Sequence, residues 1–126
     1  MFALSNLLRA FSLYRYIKLL KRGYEMKEIK NVYVVGLGAI GGAYTSKLHE
    51  MDSSMVKVIA NKERIERYSK EGFIINEKAY NFNYISPEES SEPADLILIA
   101  VKYHQLKEAI EDMKNFVGPN TKIISL

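Results

Sequence analysis

The stretch that decides the fold is Gly36-Leu37-Gly38-Ala39-Ile40-Gly41, which directly follows the apolar run Val32–Val35. Its glycines have the spacing G-x-G-x-x-G, and a helical pattern follows at residues 39–50. Between a strand and a helix, this spacing is typical of a turn that binds the pyrophosphate of a dinucleotide. The first glycine permits the tight turn, the second lets the backbone approach the phosphates, and the third lets helix and strand pack closely. A glycine-rich turn without a ligand is the alternative interpretation.

Strands and helices alternate along the rest of the chain. The predicted parallel strands are short, β-rich apolar runs at residues 32–35, 56–60, 96–101 and 122–126. The predicted helices lie at residues 39–50, 63–70 and 103–116. Residues 73–75 and 80–84 alternate around a polar segment and predict a small hairpin insertion. This order predicts an α/β fold, a Rossmann-type doubly wound parallel sheet with right-handed crossovers.

The end of the second predicted strand bears on the choice of dinucleotide. An NAD site usually carries an acidic residue there, about 20 residues beyond the glycines, which binds the ribose hydroxyls. This sequence has Asn61 instead, with Lys62 and Arg64 close by. Without the carboxylate a 2′-phosphate is not repelled, and the two cations can pair with it. The residues therefore favour NADP over NAD, while solvated helix side chains are the alternative interpretation of Lys62 and Arg64.

Lys102 directly follows the most apolar run of the chain, residues 96–101. Ligands of open α/β sheets bind beyond the carboxyl ends of the strands, so this ammonium group is placed to meet an anion or a polarised carbonyl. A solvated lysine at a strand end is an equally good interpretation of the residue alone. His104, in the next helix, is predicted to be a surface or capping residue, and His49 is predicted to be solvated.

The composition limits the classes of protein to which the chain can belong. Its 126 residues, 48% of them hydrophobic, suit one domain with a packed core. The absence of Cys excludes a disulfide scaffold, a thiolate metal site and a Cys nucleophile, and it is compatible with the cytoplasmic location that we expect. The two histidines lie far apart and show no metal-ligand spacing, so no metal site is expected.

Residues 1–24 hold five basic residues and no acidic one, whereas residues 26–126 hold thirteen basic and fourteen acidic residues. The pI near 9.0 therefore comes from one short segment, and no nucleic-acid surface is expected. The segment has a helical pattern, and its cations interrupt any run that could span a bilayer, so no membrane-spanning role is expected. A basic membrane-surface helix, a docking helix and translated sequence outside the fold are its three interpretations.

We favour the third interpretation, because residues 26–30 resemble a natural start placed just before the first strand. The expected division is a basic extension at residues 1–25, outside the core, and a cofactor-binding domain at residues 26–126. Deletion of the extension is then expected to leave thermal stability and cofactor affinity unchanged.

Residues 30–126 resemble the ketopantoate reductase (2-dehydropantoate 2-reductase) family. The likeness rests on the glycine turn at 36–42, the strand end at 61–64, residues 71–73 with the hairpin, and above all the run 94–105. That run ends in the signature Val101-Lys102-x-x-Gln105, which is far more specific than the glycine motif. The resemblance implies the NADP-binding domain of a two-domain enzyme that reduces ketopantoate, a 2-keto acid, to pantoate in pantothenate synthesis.

The resemblance also implies roles for individual residues. Lys102 matches the family's lysine near the nicotinamide and the substrate, an auxiliary catalytic contact. Asn61 departs from the arginine often found at its position, so Lys62 or Arg64 is expected to serve instead. The implied cofactor-binding residues are Gly36, Leu37, Gly38, Ala39, Ile40, Gly41, Asn61, Lys62, Arg64, Val101, Lys102 and Gln105.

Two further elements of the family pattern are not found in the 126 residues: an Asn-Gly pair after the last strand and a helical second domain that carries the catalytic lysine. We therefore expect the N-terminal part of a reductase, which alone binds NADPH weakly and does not reduce ketopantoate. An unpaired edge strand at residues 122–126 would invite association, so a homo-oligomer is among the expected states. The alternative functions are a stand-alone NADP-binding or sensor module, and the cofactor domain of another 2-keto acid or polyol dehydrogenase.

Overall fold

The computed structural model describes Arg9, residues 12–15, Ile17 and residues 28–126. Within residues 28–126 the strands are β1 (Val32–Val35), β2 (Val56–Ile59), β3 (Phe73–Ile75), β4 (Lys78–Tyr80), β5 (Asn83–Ile85), β6 (Leu96–Ile99) and β7 (Lys122–Ser125). The α-helices of the same range are α1 (Ala39–Met51), α2 (Lys62–Glu71) and α3 (Leu106–Met113). Short 3-10 turns at Tyr103–Gln105 and Lys114–Phe116 precede and follow α3.

Five strands form one parallel sheet in the order β5-β2-β1-β6-β7. β1 is central, and its residue Val34 is paired with Val58 on one side and with Leu98 on the other. All four residues of β1 and of β6 are buried, which explains why both strands are continuous apolar runs. The predicted doubly wound sheet is confirmed.

The core has one layer on each face of the sheet. Val34 packs with Leu48 of α1 on one face, because successive side chains of a strand point to opposite sides. The adjacent Tyr33 packs on the other face, where its ring meets that of Phe116 edge-on at 5.2 Å between centroids. β1 is therefore packed on both faces, and the turn that follows it starts from a fully buried strand.

The hairpin is shorter than predicted. Asn76 and Glu77 both have positive φ values, 50° and 66°, and form a tight turn between β3 and β4. The chain then leaves the hairpin, and β5 joins the main sheet as a parallel neighbour of β2. There the Asn83 side-chain amide donates to the carbonyl of Ser53, at 2.7 Å. The prediction of a single hairpin strand over residues 80–84 is therefore wrong.

The interior beside the hairpin also contains His49, which was predicted to be solvated. This side chain is half-buried in the structure. The rings of Tyr80 and Phe82 lie edge-on to the His49 ring, at 6.2 and 5.3 Å between centroids. His49 is therefore an aromatic packing residue, and the prediction of a solvated histidine is wrong.

The described residues of the N-terminal segment are helical and reach the core. Ile17 is 4% exposed and belongs to the same cluster as Val34 and Leu98, and Leu13 packs against that cluster. For these two residues the structure differs from the expectation of an extension outside the core. The remaining residues of the segment, on which the proposed boundary at residue 25 also depends, lie outside the described ones.

Shortening Ile17 to alanine is expected to lower the free energy of unfolding by about 2–4 kcal/mol, the usual loss for a buried isoleucine. Urea denaturation of the full chain measures this difference. Arg15→Ala is the matched control, because Arg15 lies two residues away and is exposed, so its effect should stay within about 0.5 kcal/mol. Equal midpoints for the two variants would show that the segment does not pack on the core.

Candidate functional site

Contacts within the protein require glycine at two positions of the turn between β1 and α1. Gly36 has a φ of +98°, and a Cβ atom there would lie 2.4 Å from the carbonyl oxygen of Ala100. A Cβ atom at Gly41 would lie 1.9 Å from the carbonyl oxygen of Gly36. The turn therefore approaches the end of β6 and the start of α1 more closely than any side chain allows.

By contrast, nothing within the described chain requires a glycine at position 38. Its φ of −70° is open to any residue, and a Cβ atom there would meet no atom within 4 Å. Gly38 is also the N-cap of α1, where Ser, Thr, Asp or Asn would add a side-chain hydrogen bond that glycine cannot make. The space beside Gly38 is open, and the backbone is accessible to a ligand.

The first turn of α1 suits an anion. Its first intrahelical hydrogen bond is donated by the Gly42 N–H to the Gly38 carbonyl, at 2.8 Å, and the amides of residues 39–41 come before it. Such amides have no acceptor within their own helix and carry the positive end of the helix dipole. No acidic side chain lies in this turn to compete with a phosphate.

A cavity of about 310 Å³ extends from the turn along the carboxyl ends of β1, β2 and β6. The sheet order reverses between β1 and β6, and open α/β sheets bind ligands at this kind of position. The residues that line the cavity come from the turn, the end of β2, one face of α2, the end of β6 and one face of α3. They are Val35, Gly36, Leu37, Gly38, Ile59, Ala60, Arg64, Arg67, Tyr68, Ala100, Val101, Lys102, Gln105, Glu108, Ala109 and Asp112.

Most of the predicted site residues meet at this cavity. Those that line it are Gly36, Leu37, Gly38, Arg64, Val101, Lys102 and Gln105. Ala39, Ile40 and Gly41 do not line it but form the first turn of α1 beside it.

Asn61 and Lys62 also lie outside the cavity lining. Asn61 is the N-cap of α2, and its side-chain oxygen accepts a hydrogen bond from the Arg64 N–H at 2.8 Å. This bond explains the asparagine without any ligand. Both predicted cations of α2 are exposed, but only Arg64 lines the cavity.

Lys102 is presented by a tight turn at the end of β6. The Gln105 N–H donates to the Lys102 carbonyl at 2.8 Å, and the Gln105 side-chain oxygen accepts from the Lys102 N–H at 3.4 Å. Gln105 thus shapes the turn in addition to lining the cavity. Lys102 remains exposed, and so does His104, which was predicted to be a surface residue.

Four polar or aromatic residues of the lining were not predicted from the sequence: Arg67, Tyr68, Glu108 and Asp112. A signal for them existed, since Arg67 and Tyr68 follow Arg64 by three and four positions on α2. Glu108 and Asp112 follow Gln105 by three and seven positions, again on one helical face.

The charges of the cavity are mixed. Burial and the nearby Glu108 raise the pKa of Asp112, and the Arg64 guanidinium opposes this shift. The Arg67 guanidinium lies over the ring of Tyr68, 5.2 Å from its centroid. No ion pair between described residues includes Arg64, Arg67 or Lys102, so these three cations have no carboxylate partner within 4.0 Å there.

No three His, Asp or Glu side chains of the described ranges converge as metal ligands would. No described helix combines the length and the apolar character needed to cross a bilayer.

Comparison with known proteins places this site in a family. The family model described as ketopantoate reductase PanE/ApbA matches residues 32–126. A 2-dehydropantoate 2-reductase from Streptococcus pyogenes serotype M3 is 24% identical over 98 residues, which are 75% of this chain and 32% of that protein. The chain thus spans about a third of the length of the curated relatives it matches.

Solved structures share the fold. A crystal structure from Enterococcus faecalis, assigned to 2-dehydropantoate 2-reductase, has a TM-score of 0.62 at 27% identity and covers 76% of this chain and 33% of its own. D-mandelate dehydrogenase, solved with NADH and anilino(oxo)acetate, has a TM-score of 0.63 at 22% identity over 76% of this chain and 32% of its own. Since the family model covers most of the sequence, including the turn and the whole cavity lining, this chain belongs to the ketopantoate reductase family of dinucleotide-binding oxidoreductases.

Proposed function

We propose that residues 28–126 bind NADPH in the described cavity and form the cofactor side of a cytoplasmic enzyme that reduces 2-dehydropantoate to pantoate. The observation that carries the proposal is Gly38, which no contact within the described chain requires and which opens beside the first turn of α1. A turn without a ligand accounts for Gly36 and Gly41 but leaves Gly38 unexplained.

The residues that line the cavity match the three parts of a dinucleotide: the pyrophosphate, the adenosine and the nicotinamide. The turn and the free amides of residues 39–41 would hold the pyrophosphate. Ile59 and Ala60, at the end of β2, offer an apolar surface to the adenosine. Val101 and Lys102, at the end of β6, would lie toward the nicotinamide.

Arg64 would recognise the 2′-phosphate of NADPH. It lies in the first turn of α2, lines the cavity and has no carboxylate partner among the ion pairs of the described residues, so its guanidinium is available for a bidentate contact. Arg67 lies on the same helical face and adds a second positive charge. Lys62 lies outside the lining, and we assign it no direct contact.

Lys102 would orient the 2-keto acid. When bound, the reduced nicotinamide supplies a hydride for the carbonyl carbon, and a proton completes the hydroxyl group of the product. The exposed ammonium of Lys102 is placed to attract the substrate carboxylate and to polarise the carbonyl. Substrate-dependent NADPH oxidation by a fusion of this chain with the remaining part of a family reductase would test 2-dehydropantoate against other 2-keto acids.

Replacing Arg64 by glutamine is expected to weaken NADPH binding about tenfold or more, because a charge-assisted contact to phosphate is lost. NADH lacks the 2′-phosphate, so its affinity should change little. Isothermal titration calorimetry of both nucleotides measures the difference.

Lys70→Gln is the matched control. Lys70 lies on the same helix, is exposed and pairs with Glu66 at 2.8 Å, but it does not line the cavity. An equal loss of both nucleotides on Arg64→Gln, or an equal loss of NADPH on Lys70→Gln, would contradict the role assigned to Arg64.

A further inference from the structure

The cavity has two walls of opposite charge. Arg64 and Arg67 of α2 form one wall, and Glu108 and Asp112 of α3 form the other. Ile59 and Ala60, at the end of β2 where an adenosine ribose would lie, line the same cavity. The Arg64 guanidinium also acts on the Asp112 carboxylate, so a carboxylate of α3, and not one from the end of β2, faces the cation that would meet the 2′-phosphate.

Asp112 is the better placed of the two acids. Its side chain is half-buried, whereas Glu108 is exposed, and charges interact more strongly where water is excluded. Glu108 has no ion pair with a described residue, and neither has Asp112. The carboxylate of Asp112 is therefore available to a ligand.

On the basis of the proposed function, we propose that Asp112 is a specificity-determining residue that opposes Arg64 and limits the preference for NADPH over NADH. Its negative charge would repel the 2′-phosphate of NADPH. With NADH, the same carboxylate would accept a hydrogen bond from a ribose hydroxyl.

The electrostatics around Asp112 support this role. Glu108, Glu88 and Glu111 raise the pKa of Asp112 after the larger effect of burial, and only Arg64 lowers it. Arg64 and the two acids of the lining, Asp112 and Glu108, therefore act on one another electrostatically, and the phosphate preference of the pocket depends on the balance between them.

Calorimetric titration of NADPH and NADH into the full chain tests the proposal with Asp112→Asn, which keeps the size of the side chain. We expect the ratio of the NADH to the NADPH dissociation constant to rise at least about threefold. Glu108→Gln should move the ratio in the same direction by less. Circular dichroism melting verifies that each variant is folded.

Glu111→Gln is the matched control, since Glu111 neighbours Asp112, is exposed, binds Lys114 at 2.7 Å and does not line the cavity. Glu111 has the smallest of the charge effects on Asp112, so this variant should change the ratio less than either variant of a lining acid. An unchanged ratio for Asp112→Asn, or an equal change for Glu111→Gln, would overturn the role of Asp112 while nucleotide binding itself stands. If neither nucleotide binds the unmodified protein, the proposed function fails, and the role of Asp112 fails with it.

Discussion

Replacing Gly36 by alanine will lower the free energy of unfolding by about 3 kcal/mol or more, a large part of the stability of a small domain. Two penalties combine in this variant. A φ of +98° is rarely adopted by residues with a side chain, and the new Cβ would lie 2.4 Å from the Ala100 carbonyl oxygen. Since β1 and β6 are both fully buried, neither strand can move apart without opening the core.

Urea denaturation of three glycine-to-alanine variants separates these penalties. Gly72 has a φ of 72° and a ψ of 174°, a region almost restricted to glycine, but open space surrounds it, so Gly72→Ala should lose about 1–3 kcal/mol from backbone strain alone. Gly38 has an ordinary φ and open space, so Gly38→Ala should change stability by no more than about 0.5 kcal/mol. A Gly36→Ala protein as stable as Gly38→Ala would contradict the close contact between the turn and the end of β6.

The central part of the fold was predictable because local signals there agree with one another. The buried run of β1, the glycine turn and the helical pattern of α1 occur in immediate succession, and each favours the same strand–turn–helix unit. The hairpin was less predictable. Alternating residues over 80–84 suit one strand, and only the turn at Asn76 and Glu77 ends the pairing early enough for β5 to join the main sheet.

Site residues that belong to a short local motif could be predicted from the sequence. Site residues that lie far apart in the sequence and meet only in the folded protein could not. Asn61 lies at the expected strand end, but helix capping accounts for it, because a short amide before a helix satisfies the first free amides. Asp112 and Arg64 lie 48 positions apart, and they share a cavity only because α2 and α3 both reach the same edge of the sheet. Ile17 likewise meets β1 and β6 through packing that no local pattern reveals.

Replacing Gly38 by serine is expected to separate stability from binding. Serine is a favourable N-cap, and its Cβ has open space, so the free energy of unfolding should rise by a few tenths of a kcal/mol. The same Cβ would occupy the space through which the backbone meets the pyrophosphate, so NADPH affinity should fall about tenfold or more. Gly38→Ala, which adds the Cβ without the hydroxyl, should lose similar affinity, and Gly72→Ala should lose none.

Calorimetric titration of NADPH into the unmodified protein and into Gly38→Ser is the most direct test of the claim that this turn binds a dinucleotide. We predict saturable binding of one NADPH per chain to the unmodified protein and a dissociation constant at least about tenfold higher for the folded serine variant. Equal affinity in the two proteins, or no binding of NADPH to the unmodified chain, would contradict the claim.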